Sequence, residues 1–236
     1  MIKRKELVAE RPTRNSAQRK AILDKASIAF IEKGFAGANL HEIADAAGLT
    51  RTAVYHYFPS KESMLEALTE EVTNKASLLA ESVVGRDELP ADKALHQLIV
   101  LHAGLILSHP LQFRVVERSE SSLPEPHRSA AQSARRAVFD HFLKVIRRGI
   151  NDGRFRAVDA HVTAFSIIGM CNWCAWWFDP AGDLSAEDVS NMIADLGLHA
   201  VLPDKPRKSR APSVEDTFKL IKDSLGLLER QICKPE

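Results

Sequence analysis

Residues 39–65 read NLHEIADAAGLTRTAVYHYFPSKESML, and this stretch decides the fold of the chain. It begins with Asn39, which can cap a helix whose apolar residues recur at helical spacing, and Glu42 stands where its side chain would complete a capping box. Gly48 follows that helix, at a position that often needs a positive φ angle. The first part of the stretch therefore predicts a short capped helix that ends in a glycine turn.

A second short helix is predicted directly after that turn. Thr50 can cap it, Pro59 stops it, and Ser60 can cap a third helix behind it. The apolar and aromatic residues of the second helix fall on one arc of a helical wheel, and the opposite arc carries Arg51, Thr52, Tyr55 and His56. One face can pack while the other is free to contact another molecule, which is the arrangement of a helix-turn-helix.

The stretch resembles the tetracycline-repressor (TetR) family of one-component bacterial transcription regulators. The resemblance rests on a leading amphipathic helix that ends at Gly34-Phe35, followed in order by Ile43-Ala44, Ala47-Gly48-Leu49-Thr50, Tyr55-His56-Tyr57-Phe58 and Ser60-Lys61-Glu62. Asn39 stands where the family usually has threonine, and Thr52 where a small residue is common. The resemblance implies an all-α protein, with an N-terminal three-helix DNA-binding domain and a C-terminal helical bundle that binds a ligand and dimerises.

Eight residues are predicted to contact DNA because of this placement. Thr50 could be only a cap, but a hydroxyl at an exposed helix N-terminus is also where phosphate binds. The polar arc of the second helix could be only a solvated face, but in this motif it would contact bases or phosphates. Tyr55 can pack its ring and still present its hydroxyl. The full set is Arg14, Asn39, Thr50, Arg51, Thr52, Tyr55, His56 and Lys61, with Asn39 and Lys61 setting register and Arg14 adding salt-sensitive attraction.

The charge of the chain is uneven. Its 236 residues carry a net charge of +1, but the first 20 hold seven Lys and Arg against two Glu, a net charge of +5 that leaves −4 for the rest. No apolar run is long enough to span a bilayer, and the first residues lack the apolar core of a secretory signal. We therefore expect a cytoplasmic protein without a membrane partner, with positive charge beside its DNA-reading unit.

The rest of the chain reads as helical throughout, and the sequence divides into five segments. They are a flexible basic arm (1–13), the helix-turn-helix domain (14–61), a helical ligand-binding and dimerisation domain (62–202), a linker (203–213) and a C-terminal amphipathic helix (214–236). Helices are predicted at 15–33, 60–84, 91–108, 111–120, 125–151, 159–178, 185–202 and 214–232. Apolar residues of the last one recur at heptad-like spacing, which indicates either an intramolecular packing stripe or a coiled coil with a partner.

The family resemblance also suggests where the body binds its partners. By analogy, helices 159–178 and 185–202 would form the homodimer interface. Aromatic residues on helices that surround the effector cavity in the family could line a pocket or could be plain core, and Phe142 and Trp173 are the two candidates for ligand binding. The corner WFDPAGDLS at 177–185 is similar to that of regulators that answer to acyl-CoA or lipid-like effectors.

No catalytic or metal-binding pattern is found in the sequence. There is no GxSxG, no HExxH and no phosphate-binding glycine loop, and the histidines are scattered. Cys171 and Cys174 form a CxxC inside an apolar helical run, which favours structural core thiols over a redox or metal pair. We therefore expect neither catalytic residues, nor a metal, nor a cofactor.

These observations predict a ligand-responsive transcriptional regulator, most simply a repressor, that binds palindromic operator DNA as a homodimer and is released by a small, largely apolar effector. Two alternatives stay open at this point. One is a helical scaffold or adaptor whose heptad-like C-terminal helix binds a protein partner. The other is an enzyme that uses an aromatic cavity in the body.

Overall fold

The computed structural model describes residues 14–85 and 88–203 and, beyond them, Phe218 and Lys222. The described residues up to Leu202 form one compact unit. The predicted basic arm at 1–13 lies outside the described residues. So do the predicted linker at 203–213 and the predicted C-terminal helix, apart from Pro203, Phe218 and Lys222.

All regular structure in the described part of the chain is helical, which confirms the predicted all-α class. The elements in order are α1 (Arg14–Gly37), α2 (Leu40–Ala46), α3 (Arg51–Tyr57), α4 (Lys61–Thr69), a π-turn (Glu70–Asn74), α5 (Lys75–Val84), α6 (Ala91–Ser108), α7 (Pro110–Ser119), a 3₁₀ turn (Glu120–Ser122), α8 (His127–Asn151), α9 (Ala160–Trp177) and α10 (Ala186–His199).

The boundaries follow local backbone chemistry. Gly34 has a φ of 71° inside α1, so regular helix stops where the Gly34-Phe35 pair predicted its end. Gly153, with a φ of 68°, follows the end of α8. Ser185 and Asp188 form the predicted capping box at the start of α10.

Two predictions about local structure are corrected. Glu42 does not close a capping box at α2; its carboxylate lies 2.8 Å from the Lys33 ammonium, a stronger partner than a backbone amide. The single helix predicted over 60–84 is interrupted by the π-turn, which separates α4 from α5. A π-turn holds one extra residue per turn and leaves no mark in an apolar repeat, so the sequence could not reveal it.

The core of the body is arranged around α6. This helix packs against α5, α8, α9 and α10, while α7 packs against α1, α4 and α9. The largest apolar side chains of α6 are fully buried, and they are Leu95, Leu98, Ile99 and Ile106. Because α7 touches both the first helix and α9, the N-terminal helices and the body form one continuous packed structure.

No single helix in the described ranges is long and apolar enough to cross a membrane. Helix α6 and residues 110–122 pass that test only as a pair, and the chain bends by 90° between them. No group of three or more His, Cys, Asp or Glu side chains in the same ranges is arranged to hold a metal ion.

Close packing at Gly149 gives a test of the fold. A β-carbon at this position of α8 would overlap the ring of Phe155, which is buried, whereas one at Gly104 of α6 would meet no atom within 4 Å. We expect Gly149→Ala to lower the free energy of unfolding by about 1–3 kcal/mol through overpacking. The control Gly104→Ala should raise it by about 0.5–1 kcal/mol, because alanine favours helix. Urea denaturation measures both, and equal stability of the two variants would show that Phe155 does not pack on Gly149.

Candidate functional site

The helix-turn-helix is built by side-chain caps on both sides of its turn. Asn39 Oδ1 accepts a hydrogen bond from the Glu42 amide at 3.0 Å, and Thr50 Oγ1 accepts one from the Ala53 amide at 3.2 Å. Gly48 has a φ of 66° between the two helices, as its position predicted. The caps satisfy amides that the helices cannot pair internally and fix where α2 and α3 begin.

One face of α3 is anchored to α1. Val54 and Phe58 are buried, the Arg19 guanidinium lies 5.1 Å from the centre of the Phe58 ring, and the Tyr57 hydroxyl donates to Gln18 Oε1 at 3.2 Å. The opposite face is exposed and carries Arg51, Thr52, Tyr55 and His56. A short helix held on one side, with a polar and cationic face toward solvent, can enter a DNA groove without rearrangement.

Four of the predicted DNA contacts surround one surface hollow. Asn39, Arg51, Tyr55 and Lys61 all line a depression between α2, α3 and the start of α4. Thr50, Thr52 and His56 lie outside its lining, on the remainder of α3 and its cap. The side chain of Arg14 is outside the described residues. The hollow therefore joins the cap of α2, helix α3 and the start of α4 in one surface.

Lys61 has a structural role that the sequence did not reveal. Its ammonium donates to the backbone carbonyls of Phe35, Ala36 and Ala38 at 2.9, 3.0 and 3.4 Å, and it lies 4.9 Å from the centre of the Phe35 ring. These three hydrogen bonds engage all three ammonium protons and satisfy backbone carbonyls left unpaired after Gly34. Its contact with DNA stays a prediction. The three hydrogen bonds join Lys61 to residues more than twenty positions earlier in the chain. No local sequence pattern could therefore predict this role.

A second site is a cavity of about 230 Å³ inside the body. The π-turn and helices α5 to α9 all contribute to its wall, which is mostly apolar and includes the rings of Phe113, Phe139 and Phe165. Its polar side chains are few: Thr73, His102, Glu117, Arg135 and Asn172. Largely apolar cavities with a small number of placed polar groups are typical small-molecule sites.

The two aromatic residues predicted to bind ligand do not line this cavity. Phe142 is fully buried behind the wall, where its ring meets the edge of His102 at 5.8 Å between centroids. Trp173 is 65% exposed and stacks on Trp176 at the outer surface. Phe142 and Trp173 lie on α8 and α9, which both contribute to the wall, but on faces that do not line this cavity, and their contact with a ligand stays a prediction. The polar residues His102 and Asn172, each inside an apolar run, were the better signal.

His102 and Asn172 form a polar pair in the cavity wall. His102 Nε2 lies 3.1 Å from Asn172 Oδ1, and His102 Nδ1 is sealed from solvent without a hydrogen-bond partner in the described structure. Burial of the ring lowers the pKa of His102 to about 4, and the hydrogen bond to Asn172 opposes that shift. The imidazole is therefore neutral at physiological pH.

The arginine at the mouth of the cavity is paired with two carboxylates. Arg135 forms ion pairs with Glu117, at 3.2 Å, and with Glu120. Of the four arginines considered in the sequence as partners for an anion (Arg114, Arg118, Arg135 and Arg136), Arg135 lines the cavity and the other three do not. With two carboxylates beside it, Arg135 offers little net attraction to an anionic ligand.

The CxxC thiols are buried in the core. Cys171 and Cys174 are inaccessible to solvent, and burial raises the pKa of both thiols. Protonated buried thiols are poor nucleophiles and poor metal ligands, so the interpretation as core residues fits their surroundings.

Large apolar side chains cover the outer surface of α9 and α10. Phe165 is 66% exposed and Trp173 65%, and on α10 Met192 and Leu196 are 54% and 60% exposed. Exposed apolar surface of this extent on neighbouring helices marks an interaction face.

This geometry defines a class of protein: a helix-turn-helix DNA-binding regulator with a separate small-molecule cavity. Residues 22–68 match the family described as bacterial regulatory proteins, tetR family, and residues 88–201 match the tetracyclin repressor-like C-terminal domain. The chain belongs to the TetR family and is a DNA-binding transcription regulator, not an enzyme.

The chain matches several known proteins over nearly their full lengths. The HTH-type transcriptional repressor KstR2 of Mycolicibacterium smegmatis is 23% identical over 83% of this chain and 96% of its own. The structure of PfmR from Thermus thermophilus has a TM-score of 0.66 and 28% identity, with 75% of this chain and 97% of that chain covered. AibR, solved with isovaleryl coenzyme A and operator DNA, has a TM-score of 0.62 and 25% identity, with 79% and 98% covered.

The neutral state of His102 gives a pH test. Above the ordinary pKa of 6.5 the ring is neutral in folded and unfolded chains, so its contribution to stability is complete. As pH falls from 6.5 to about 4, the unfolded chain takes up the proton first, and the folded state loses up to about 3 kcal/mol. Urea denaturation across this range should show a steeper loss for the wild type than for His102→Gln, which cannot titrate. Parallel curves would mean that the ring takes up a proton freely in the folded protein.

Proposed function

We propose that the chain is a homodimeric repressor that binds a palindromic operator and leaves it when a small, largely apolar effector fills the body cavity. The observation that carries the proposal is the anchoring of α3: Val54 and Phe58 bury one face, so the polar face is presented to solvent in a fixed orientation. We assign residues 14–61 to the DNA-binding domain and 62–202 to the ligand-binding and dimerisation domain.

In this proposal α3 enters the major groove. Arg51 and Thr52, at its exposed start, would read base edges, and Tyr55 and His56 would contact bases or the adjoining backbone. Asn39 and Thr50, at the exposed starts of α2 and α3, would contact phosphates and set register, with Lys61 beside them. Arg14 and the basic arm would add attraction that weakens with salt. Two heads would read half-sites one helical turn apart, about 34 Å.

The apolar surface of α9 and α10 would hold two copies together. Its side chains, among them Trp173, Met192 and Leu196, are too exposed to be explained by packing within one chain. A two-fold arrangement would place the same surface on both copies and bring the two heads to one palindromic site. KstR2 carries the name of a repressor, which supports repression as the default action.

The cavity supports an apolar effector. Its wall is mostly apolar, and its volume of about 230 Å³ would admit a compact apolar group but not a whole coenzyme. If the effector is an acyl-CoA, as in the AibR complex, the acyl group would enter and the nucleotide would remain outside. A lipid-like molecule without a coenzyme fits the same wall. The proposed place of action is the cytoplasm, where operator DNA is found.

Two connections could carry a change from the cavity to the heads. Val72 and Thr73, in the π-turn, line the cavity, and the π-turn follows α4 directly. On α7, Phe113 lines the cavity and its neighbour Gln112 donates to Asp24 Oδ1 of α1 at 2.7 Å. A ligand that displaces either segment would alter the separation of the heads and favour the state that does not fit the operator.

The DNA-binding role can be tested at α3. The operator would first be selected from random duplexes with the wild-type protein. We expect Arg51→Ala or Thr52→Ala to weaken binding to that operator, by about 1–3 kcal/mol where a bidentate base contact is lost. Scrambled DNA should be affected less. Fluorescence anisotropy measures both affinities, and Arg136→Ala, an exposed arginine of α8, is the control that should bind normally. Equal losses on the two DNAs would restrict the roles of Arg51 and Thr52 to phosphate contact.

The dimer can be tested by placing charge on the proposed interface. Leu196→Glu should convert the dimer to a monomer at micromolar concentration, because a carboxylate would be buried without a partner. Leu78→Glu, on α5, is the matched control, since Leu78 is 65% exposed but lies outside the α9–α10 surface. Analytical ultracentrifugation gives the masses. A dimer that survives Leu196→Glu with native helicity would move the interface elsewhere.

A further inference from the structure

We infer that the cavity selects an apolar molecule carrying a hydrogen-bond-accepting oxygen, such as a ketone or ester carbonyl, and that the side-chain amide of Asn172 donates to that oxygen. This inference rests on the proposed role of the cavity as an effector site. It adds what that role leaves open, namely the polar group by which one apolar molecule is chosen over another.

The position of the ring proton on His102 decides the direction of its hydrogen bond to Asn172. The ring is neutral, so one nitrogen carries hydrogen and the other is an acceptor. Nδ1 has no partner in the described structure and is sealed from solvent. A buried N–H without a partner is rarer in proteins than a buried acceptor without one. The hydrogen therefore lies on Nε2, which donates to Asn172 Oδ1 across 3.1 Å.

The amide nitrogen Nδ2 of Asn172 is the other polar atom of that side chain. Because Oδ1 faces the imidazole, Nδ2 and its two N–H donors point away from it. No hydrogen bond to another described residue uses Nδ2, and it is not among the sealed atoms, although the residue is only partly exposed and lines the cavity. The cavity wall thus contains an oriented donor with free capacity.

The described lining of the cavity holds no competing selective group. Arg135 is engaged by Glu117 and Glu120 at the mouth. The hydroxyl of Thr73 can donate or accept, so it does not discriminate between the two kinds of ligand group. Glu117 is paired with Arg135, Nδ1 of His102 is sealed from solvent, and the other lining side chains are apolar and recognise shape. An oxygen acceptor on an apolar body is the chemistry that matches this wall.

Two isosteric probes test the inference. Acetophenone and α-methylstyrene have the same shape and differ in that a carbonyl oxygen replaces a methylene group. We expect the full-length wild-type protein to bind acetophenone about five- to tenfold more tightly, the gain of one hydrogen bond. Ligand-observed NMR titration gives both dissociation constants. Asn172→Leu should abolish the preference while it keeps the affinity for α-methylstyrene, and Asn172→Asp, which has no N–H donor, should abolish it too.

The control is Asn191→Leu on α10, a half-buried asparagine that does not line the cavity, and it should keep the wild-type preference. His102 acts through Asn172 and is a positioning residue. His102→Leu should reduce the preference for acetophenone, and His102→Gln, which can still donate to Oδ1, should restore it. A purely structural role of His102 would instead change the affinities for both probes together.

Equal affinity of the two probes in the wild type would overturn the inference, as would a preference that survives both Asn172 substitutions. Failure of the wild type to bind either probe would overturn it as well. Operator binding, measured by anisotropy on the same samples, separates these results from the proposed function, because a chain that binds its operator but ignores the carbonyl would remain a regulator with a different effector.

Discussion

Burial of α6 between four neighbouring helices is the constraint on which the body depends. A helix in that position must be apolar on nearly every side, and Leu95, Leu98, Ile99 and Ile106 meet the requirement. A polar side chain there must find a hydrogen-bond partner inside the protein or, if it is ionisable, take its neutral form. His102 does both: it stays neutral and bonds to Asn172. The chemistry of the cavity follows from the packing of the core.

The N-terminal helices depend on a different interaction. Lys61, at the first turn of α4, binds the carbonyls left open where α1 ends, so the start of one helix holds the end of another. Helices α2 and α3 lie between these two points in the chain. This charge-assisted contact holds together the two ends of the segment that contains both helices, and Arg51 and Tyr55 remain exposed.

The sequence predicted most of the fold because its helix boundaries are marked by caps, glycines and prolines that act locally. Thr50, Gly48 and Ser185 serve as their positions indicated. The π-turn and the partners of Lys61 and Glu42 were not predictable, since each depends on which segments meet in three dimensions. The side chains that line the cavity were not predictable for the same reason. Helical spacing identified α9 as apolar but could not tell which side faced solvent, so Trp173 was chosen and Asn172 was not.

Helix α9 serves two surfaces at once. Phe165 and Gly169 line the cavity, and both are also exposed on the side of the helix that carries Trp173. A molecule that occupies the cavity therefore touches the surface on which a second copy would sit. In the proposed dimer, occupancy of the cavity and self-association would be thermodynamically linked, and each would change the other by the same free energy. The cellular concentration of the protein would then help to set the effector concentration at which the proposed repressor leaves its operator.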